Sequence, residues 1–353
     1  MRILIIADDL TGALDSAVTL TGAGLRCVVA RRPADVPAAL ALRPDVLGVS
    51  TASREGSAAA ARAAVAAALD AAGNLPDLVF KKIDSRLKGH VAAEVALLAE
   101  RSGRTRAVVA PAIPMQGRTV AGGRLIGSGV AVPIDIAAAT SAPGLTLDIP
   151  DTRTDADLDS ALARALDCPA PLLVGAAGLA AALARRLAPG AWSIPAPRLR
   201  SPILFAIGSH DPITLAQVDR LAATGGATVT EAPDGACPPA SARAQLVRLV
   251  AAEGRDFNPP AAGARFAQGI AQLVRAGGAA TLFVCGGETA DAVLGALGAG
   301  VLSIEGEVLP GVPASSILLG ERRLQVVTKS GGFGNEDALV AVLAAGERRE
   351  GGR

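Results

Sequence analysis

The chain is 353 residues long and has no tyrosine, one tryptophan, six phenylalanines and two histidines. A core for this chain must come from Leu, Val, Ile and Ala. Two histidines exclude a His-rich metal centre and leave little from which to build a Ser-His-Asp triad. His210 adjoins Ser209 in the chain, which is not how a base serves a nucleophile, so it is read as a loop residue near a ligand. The four cysteines, Cys27, Cys168, Cys237 and Cys285, show no CxxC spacing. That argues against a zinc site and a disulfide framework, and for a reducing cytoplasm. Net charge is also missing: 34 basic residues stand against 33 acidic ones, which leaves no electrostatic footprint for nucleic acid or an anionic membrane. Neither a signal peptide nor a membrane span is expected. The chain enters Arg2–Ile6 directly, and its longest uncharged run, 168–184, is broken by Pro169, Pro171, Gly175 and Gly178. Walker A and Rossmann GxGxxG spacings are absent as well, which argues against a P-loop enzyme and a typical dinucleotide dehydrogenase.

What is present is alternation. Short apolar runs at 3–7, 27–30, 46–50, 78–82, 107–110 and 172–175 are predicted strands. Helical patterns at 11–20, 56–71, 91–100, 155–166 and 179–187 lie between them. Such alternation predicts an α/β fold with mostly parallel sheets covered by helices. The stretch 188–202 carries four prolines and the lone Trp192 without periodicity, and is the predicted linker. After it come predicted strands at 203–207, 227–230, 281–285 and 324–328, and helices at 213–223, 261–275, 290–297 and from 336. Two α/β domains, 1–197 and 198–353, follow. The segments 232–240 and 258–262 are expected to be surface loops, and the charged end 346–353 to be frayed.

In open α/β sheets, ligands bind beyond the carboxyl ends of strands, so polar residues directly after a strand are the candidates. After the first strand come Asp8, Asp9, Thr11, Gly12 and Asp15. One helix cap explains one carboxylate; three around a Thr-Gly turn repel each other unless a cation or a hydroxyl ligand offsets them. Thr51, Ser53 and Arg54 follow the third strand. Lys82–Lys88 mixes Asp84 and Ser85 with three cations in seven residues, which reads as a pocket pairing Lys or Arg with a carboxylate while Asp84 accepts hydroxyls. Arg118, after Gln116-Gly117, is a further candidate of that kind. In the second half, three Gly/Ser-rich turns each follow a strand: Gly208–Asp211, Gly286–Thr289 and Lys329–Gly334. Glycines between strand and helix let backbone N–H groups approach phosphates closely. Residue types and spacing therefore point to a small anionic molecule and a nucleotide.

Eight segments in order resemble the four-carbon acid sugar kinase family: ADDLTGALD (7–15), KKIDSRLKG (81–89), PAIPMQGRT (111–119), VGAAGLA (174–180), GSHDPIT (208–214), GGETA (286–290), GEVLPGVP (306–313) and KSGGFGNED (329–337). The resemblance implies two Rossmann-like α/β domains, the first binding a sugar acid and the second a nucleotide, with the active site in the cleft between them. It implies an ATP-dependent kinase of carbohydrate metabolism that phosphorylates the terminal hydroxyl of threonate, erythronate or a 3-oxo-tetronate. By position, Asp9 and Asp84 are its candidate catalytic residues, and Asp8, Thr11, Ser53, Arg54, Lys82, Ser85 and Arg118 its substrate-binding ones. Ser209, Gly286, Gly287, Glu288, Thr289, Ser330, Gly331 and Gly332 would line the nucleotide. Mg²⁺ would arrive with ATP, held mostly by phosphates and water with at most one carboxylate such as Glu288, so no dedicated metal site is expected. Lys82 or Arg118 would hold the substrate carboxylate. A homodimer is compatible with the resemblance. The chain departs from the family's usual KIDSTLRG at Arg86 and Lys88, and has Ala176 where Ser is common. Alternatives left open are a kinase of a different hydroxy acid, a ligase, a non-catalytic sugar-acid sensor and, most weakly, an oxidoreductase.

Overall fold

The computed structural model describes residues 1–239, 245–254 and 256–347. They form two units, one of Met1–Pro195 and one beginning at Ala196. The first unit contains β1 (Ile3–Ala7), α1 (Leu10–Thr21), β2 (Cys27–Ala30), α2 (Val36–Ala41), β3 (Val46–Ser50), α3 (Ala58–Ala72), β4 (Leu78–Lys82), α4 (Val91–Ser102) and β5 (Arg106–Ala110). It continues with β6 (Arg118–Ala121), β7 (Arg124–Gly127), β8 (Ile134–Asp135), α5 (Ile136–Thr140), β9 (Thr146–Asp148), α6 (Asp155–Leu166), β10 (Leu172–Gly175) and α7 (Ala177–Leu187).

Its main sheet runs β2-β3-β1-β4-β10-β5-β9, every pair parallel. A parallel strand covered by helices on both faces must be apolar throughout, and every residue of β1, β2, β3 and β10 is buried. Strand β1 lies between β3 and β4. The chain leaving β3 therefore crosses β1 to reach β4, which makes a topological switch point at the carboxyl ends of these strands. The small antiparallel sheet β6-β7-β8 was not foreseen from the sequence. Its first hairpin turns at Gly122-Gly123, both with positive φ (+56° and +71°), the conformation a two-residue type I′ turn requires.

The second unit contains β11 (Ile203–Ile207), α8 (Pro212–Ala223), β12 (Val229–Pro233), β13 (Leu246–Val250), α9 (Pro259–Arg275), β14 (Thr281–Cys285), α10 (Gly287–Leu297), β15 (Val301–Leu309), β16 (Val312–Leu319), β17 (Arg322–Lys329) and α11 (Ala338–Glu347). Strands β12-β13-β11-β14-β17 are parallel, and β16 and β15 continue the sheet antiparallel. Phe205 and Phe283 pack with ring centroids 5.2 Å apart at the centre of its core.

Three expectations need correction here. The strand expected at 227–230 runs Val229–Pro233, so the loop expected from 232 begins two residues later; Ala240 lies outside the described residues. The other loop, 258–262, is the start of α9: Asn258 caps it by accepting from Ala261 N, and Pro259 occupies the first turn, where its missing N–H costs nothing. Strands β13, β15 and β16 were missed; β15 and β16 form a hairpin around Pro310-Gly311 rather than an α/β crossover. The tail from 348 lies outside the described residues. No helix among the described residues is long and apolar enough to cross a membrane.

Candidate active site

The loops after β1, β3 and β4 meet around one guanidinium. Asp9 is the N-cap of α1: its Oδ1 accepts from Gly12 N and its Oδ2 from the Thr11 hydroxyl, both at 2.8 Å. Capping therefore accounts for Asp9 and Thr11, while Asp15 lies within α1. Asp8 has a different partner. Arg54 donates to it through both Nε and Nη2 at 2.8 Å, the planar fork that suits a carboxylate. The same guanidinium places Nη1 2.8 Å from Asp9 Oδ2 and 3.8 Å from Asp84 Oδ1. One cation from the loop after β3 thus offsets the repulsion among three carboxylates from the loops after β1 and β4. Burial alone would raise the Asp8 carboxyl, but the Arg54 bonds, with Lys81 and Lys82 nearby, hold it below the ordinary aspartate range. Arg54 is likewise held charged above its usual value, Asp8, Asp9 and Asp84 outweighing its burial.

Asp84 closes a tight turn, its Oδ2 accepting from Arg86 N at 2.8 Å. Its Oδ1 has only the distant Arg54 contact, which makes it the least engaged carboxylate oxygen of the cluster. Lys82 is buried, and its Nζ donates to Ile83 O at 3.0 Å. An added Cβ at Gly12 would lie 2.5 Å from Asp9 Oδ1 and 3.0 Å from Lys82 Nζ, so the ammonium sits on the Asp9 side. Arg118, at the start of β6, donates to the Ser85 hydroxyl and to Gln116 Oε1.

Ser53 is tied to the site by its backbone, its N–H donating to Asp8 O at 2.9 Å, and not by its side chain. Its own hydroxyl is buried, donates to Glu94 Oε1 at 2.5 Å and meets Thr51 Oγ1 at 2.8 Å. Glu94 Oε2 in turn lies 3.0 Å from Lys81 Nζ, and both side chains are almost fully buried. The sequence reading singled out neither Lys81 nor Glu94. The available signal was a pair of adjacent lysines on a strand: alternation sends one of them to each face, and a buried lysine needs a carboxylate.

In the second unit the three glycine turns come together at the carboxyl ends of β11, β14 and β17. An added Cβ at Gly331 would lie 2.2 Å from Ser209 Oγ, and one at Gly208 2.0 Å from Thr289 Oγ1. At Gly286, the N-cap of α10, it would lie 3.5 Å from Ser209 N. Gly332 faces Asp211, an added Cβ lying 2.9 Å from Oδ2. Gly287 opens α10 and Glu288 supplies the acid of its first turn. Ser330 belongs to a loop wrapped around Lys329, whose buried Nζ donates to the carbonyls of Ser330, Gly331 and Phe333 at 2.9–3.0 Å. Burial lowers the Lys329 ammonium, against the opposing pull of Cys285 and Asp211. Thr214 and Gln217 of α8 fasten the same loop by donating to Gly331 O at 2.6 Å and Phe333 O at 2.9 Å. Lys329, Thr214 and Gln217 are the supports that sequence reasoning passed over. His210 lies edge-on to Phe257, ring centroids 5.9 Å apart. The four cysteines are free thiols.

In this cradle the glycines leave no room for a Cβ against Ser209, Thr289 and Asp211, beside the N-terminus of α10, features that suit a phosphate group. Among the described residues no three His, Cys, Asp or Glu side chains group as a metal site. Carboxylates gathered around an arginine in one unit, and a glycine-lined cradle at a helix N-terminus in the other, suit a phosphotransferase acting on a small hydroxylated molecule.

Comparison with known proteins agrees. Residues 3–143 match the model of a sugar-binding N-terminal domain, and residues 240–339 that of a nucleotide-binding C-terminal domain. A D-threonate kinase of Salmonella typhimurium is 30% identical over 97% of this chain and 98% of its own length. That of Bordetella bronchiseptica is 34% identical, with 98% of each covered. A 3-oxo-tetronate kinase of Pseudomonas fluorescens is 28% identical over 96% of this chain and 95% of its own length. The chain belongs to the four-carbon acid sugar kinase family, phosphotransferases that act on a hydroxyl group of a sugar acid. Among solved structures, a Salmonella typhimurium chain described as a putative tRNA synthase has a TM-score of 0.75 at 22% identity, with 98% of this chain and 99% of that one covered. A Haemophilus influenzae protein has a TM-score of 0.72 at 21% identity, with 97% and 100% covered. At these identities the likeness is one of fold.

Proposed function

We propose that this protein is an ATP-dependent kinase of the terminal hydroxyl of a four-carbon sugar acid, working in a reducing cytoplasm, with Asp84 as the base. Phosphoryl transfer needs a positioned hydroxyl, positive charge on the transferring group and a divalent cation across the phosphates. The observation that carries the assignment is the unequal engagement of the carboxylates. Asp8 is closed by its fork with Arg54, and both oxygens of Asp9 hold the cap. Asp84 keeps Oδ1 for a hydroxyl. Asp84 would take the proton as the hydroxyl oxygen accepts the phosphoryl group, with Asp9 orienting the neighbouring hydroxyl. Ser209, Gly286–Thr289 and Ser330–Gly332 would hold ATP, and Mg²⁺ would be bound by phosphates and water with Glu288 as its one carboxylate.

ADP release, coupled to an absorbance readout and scanned over threonate, erythronate and their 3-oxo forms with ATP and Mg²⁺, tests this reading. Turnover on at least one acid is the expected result; acid-dependent thermal shifts without ADP would instead identify a sensor. A second expectation concerns the cradle. Gly331→Ala or Gly208→Ala should raise the KM for ATP about tenfold or more, equivalent to at least ~1.4 kcal/mol of lost binding, with the acid KM little changed. An unaltered ATP KM in both variants would remove the nucleotide from this cradle.

A further inference from the structure

Two arginines meet at the edge of the first unit's site: Arg118, one of the two candidate holders of the substrate carboxylate, and Arg86, which has no role so far. Arg118 opens β6 and pairs in register with Gly127, the last residue of β7. Two residues on, an added Cβ at Gly129 would lie 3.6 Å from Arg86 Cδ and 3.8 Å from Arg86 Nη1. Both arginines therefore reach the same end of the small antiparallel sheet. They are close enough that Arg118, already disfavoured as a cation by burial, is further disfavoured by the charge of Arg86 and only partly relieved by Asp84. Neither guanidinium takes part in an ion pair with a carboxylate among the described residues. Arg118 spends its Nη groups on the neutral oxygens of Ser85 and Gln116, and its Nε is buried without a hydrogen-bond partner. A buried unmet donor on a cation is costly, and two neighbouring guanidiniums without an acid repel each other.

Both costs vanish if an anion completes the group. We propose that Arg86 and Arg118 form a two-guanidinium clamp for the carboxylate of the acid substrate, so that its hydroxyl end points toward Asp84 and Asp9. This rests on the kinase reading above and deepens it by fixing which cations hold the acid group. Lys82 is the less suitable holder: its ammonium sits on the Asp9 side, with one donor committed to Ile83 O. Asp84 lies within reach of both groups, approaching Arg54 at 3.8 Å and acting electrostatically on Arg118. A planar carboxylate matches the arginine fork, which a lysine cannot supply. The clamp makes a free carboxylate a requirement of the substrate class. It also gives a role to Arg86, which stands where the family pattern has Thr.

The test compares threonate and erythronate with threitol and erythritol, which carry CH₂OH in place of the carboxylate, in wild type, Arg86→Thr, Arg86→Lys and Arg118→Lys. Charge-assisted hydrogen bonds of this kind contribute enough to shift affinity roughly 10–100-fold. Arg86→Thr should raise the KM for the acid by at least about tenfold with kcat within twofold. Its kcat/KM for the tetritols should stay at the wild-type value. Arg86→Lys should recover only part of the loss. Arg86 is exposed, so an unchanged melting temperature would show that the variant folds. An acid KM within twofold of wild type in Arg86→Thr, or equal losses for acid and tetritol, would overturn the clamp and leave the kinase reading standing. If wild type transfers phosphate to none of the acids, the kinase reading falls. The clamp is then judged by calorimetric titration of threonate without nucleotide: binding that Arg86→Thr weakens at least about tenfold supports it, and absent or unaltered binding overturns it.

Discussion

Replacing Asp84 with asparagine is expected to lower kcat by about 10²–10⁴, the usual cost of removing a positioned base, while the KM for the acid changes far less. The variant separates chemistry from architecture because Asn keeps the side-chain oxygen that accepts from Arg86 N, the bond that closes the loop after β4. What it loses is the carboxylate whose Oδ1 approaches Arg54 no nearer than 3.8 Å and can receive a proton. Asp9→Asn provides the contrast. Asparagine caps a helix about as well as aspartate, so α1 keeps its N-terminus, but the 2.8 Å ion pair with Arg54 Nη1 goes. The expectation for Asp9→Asn is a raised acid KM with kcat reduced less than in Asp84→Asn. Initial-rate kinetics at saturating ATP, with circular dichroism to confirm folding, decide the matter. A near-normal kcat in Asp84→Asn beside a collapse in Asp9→Asn would transfer the role of base to Asp9.

The parts of this site that could be read from the sequence are those set by position along a strand. Asp8 and Asp9 follow an uninterrupted apolar run, and such a run alternating with helical stretches reads as an interior parallel strand with its polar successors at the sheet end. The three glycine turns are legible for the same reason. What the sequence conceals is pairing across distance. Arg54 and Asp8 are 46 residues apart, and nothing local announces that a guanidinium after β3 will close a carboxylate after β1. Ser53 looks like a ligand donor, yet its hydroxyl is consumed by Glu94, 41 residues away. The small sheet β6-β7-β8 escaped because its strands are two to four residues long and broken by glycines. The β15–β16 hairpin is concealed because bulges at Ile304/Gly306 and Glu307/Leu309 break the regular alternation ahead of its Pro-Gly turn.

The Lys81–Glu94 pair is where concealed pairing has its largest expected effect on stability. Lys81 points from β4 and Glu94 from α4, with side chains 0% and 1% exposed. The Glu94 carboxylate also receives the Ser53 hydroxyl, whose neighbour Arg54 organises the three aspartates. Removing one partner strands a charge in a site closed to water. Glu94→Ala or Lys81→Met should therefore destabilise the first unit by about 3–5 kcal/mol, the cost typical of breaking a buried pair. For a unit of this size that lowers the melting temperature by roughly 6–20 °C. The measurement can be confined to this unit, because the chain's single tryptophan, Trp192, lies in it and donates from Nε1 to Thr19 O at 3.0 Å. Urea unfolding followed by its fluorescence reports one unit, where a whole-chain transition need not be two-state. The double variant Lys81→Met with Glu94→Leu should recover most of the lost stability, since desolvating two charges offsets much of what their attraction contributes. It should still raise the acid KM, because Ser53 has lost the acceptor that fixes the Arg54 loop. Recovery of both stability and KM would make the pair a packing element only, whereas recovery of stability alone identifies Glu94 as the positioning residue for the guanidinium that gathers Asp8, Asp9 and Asp84.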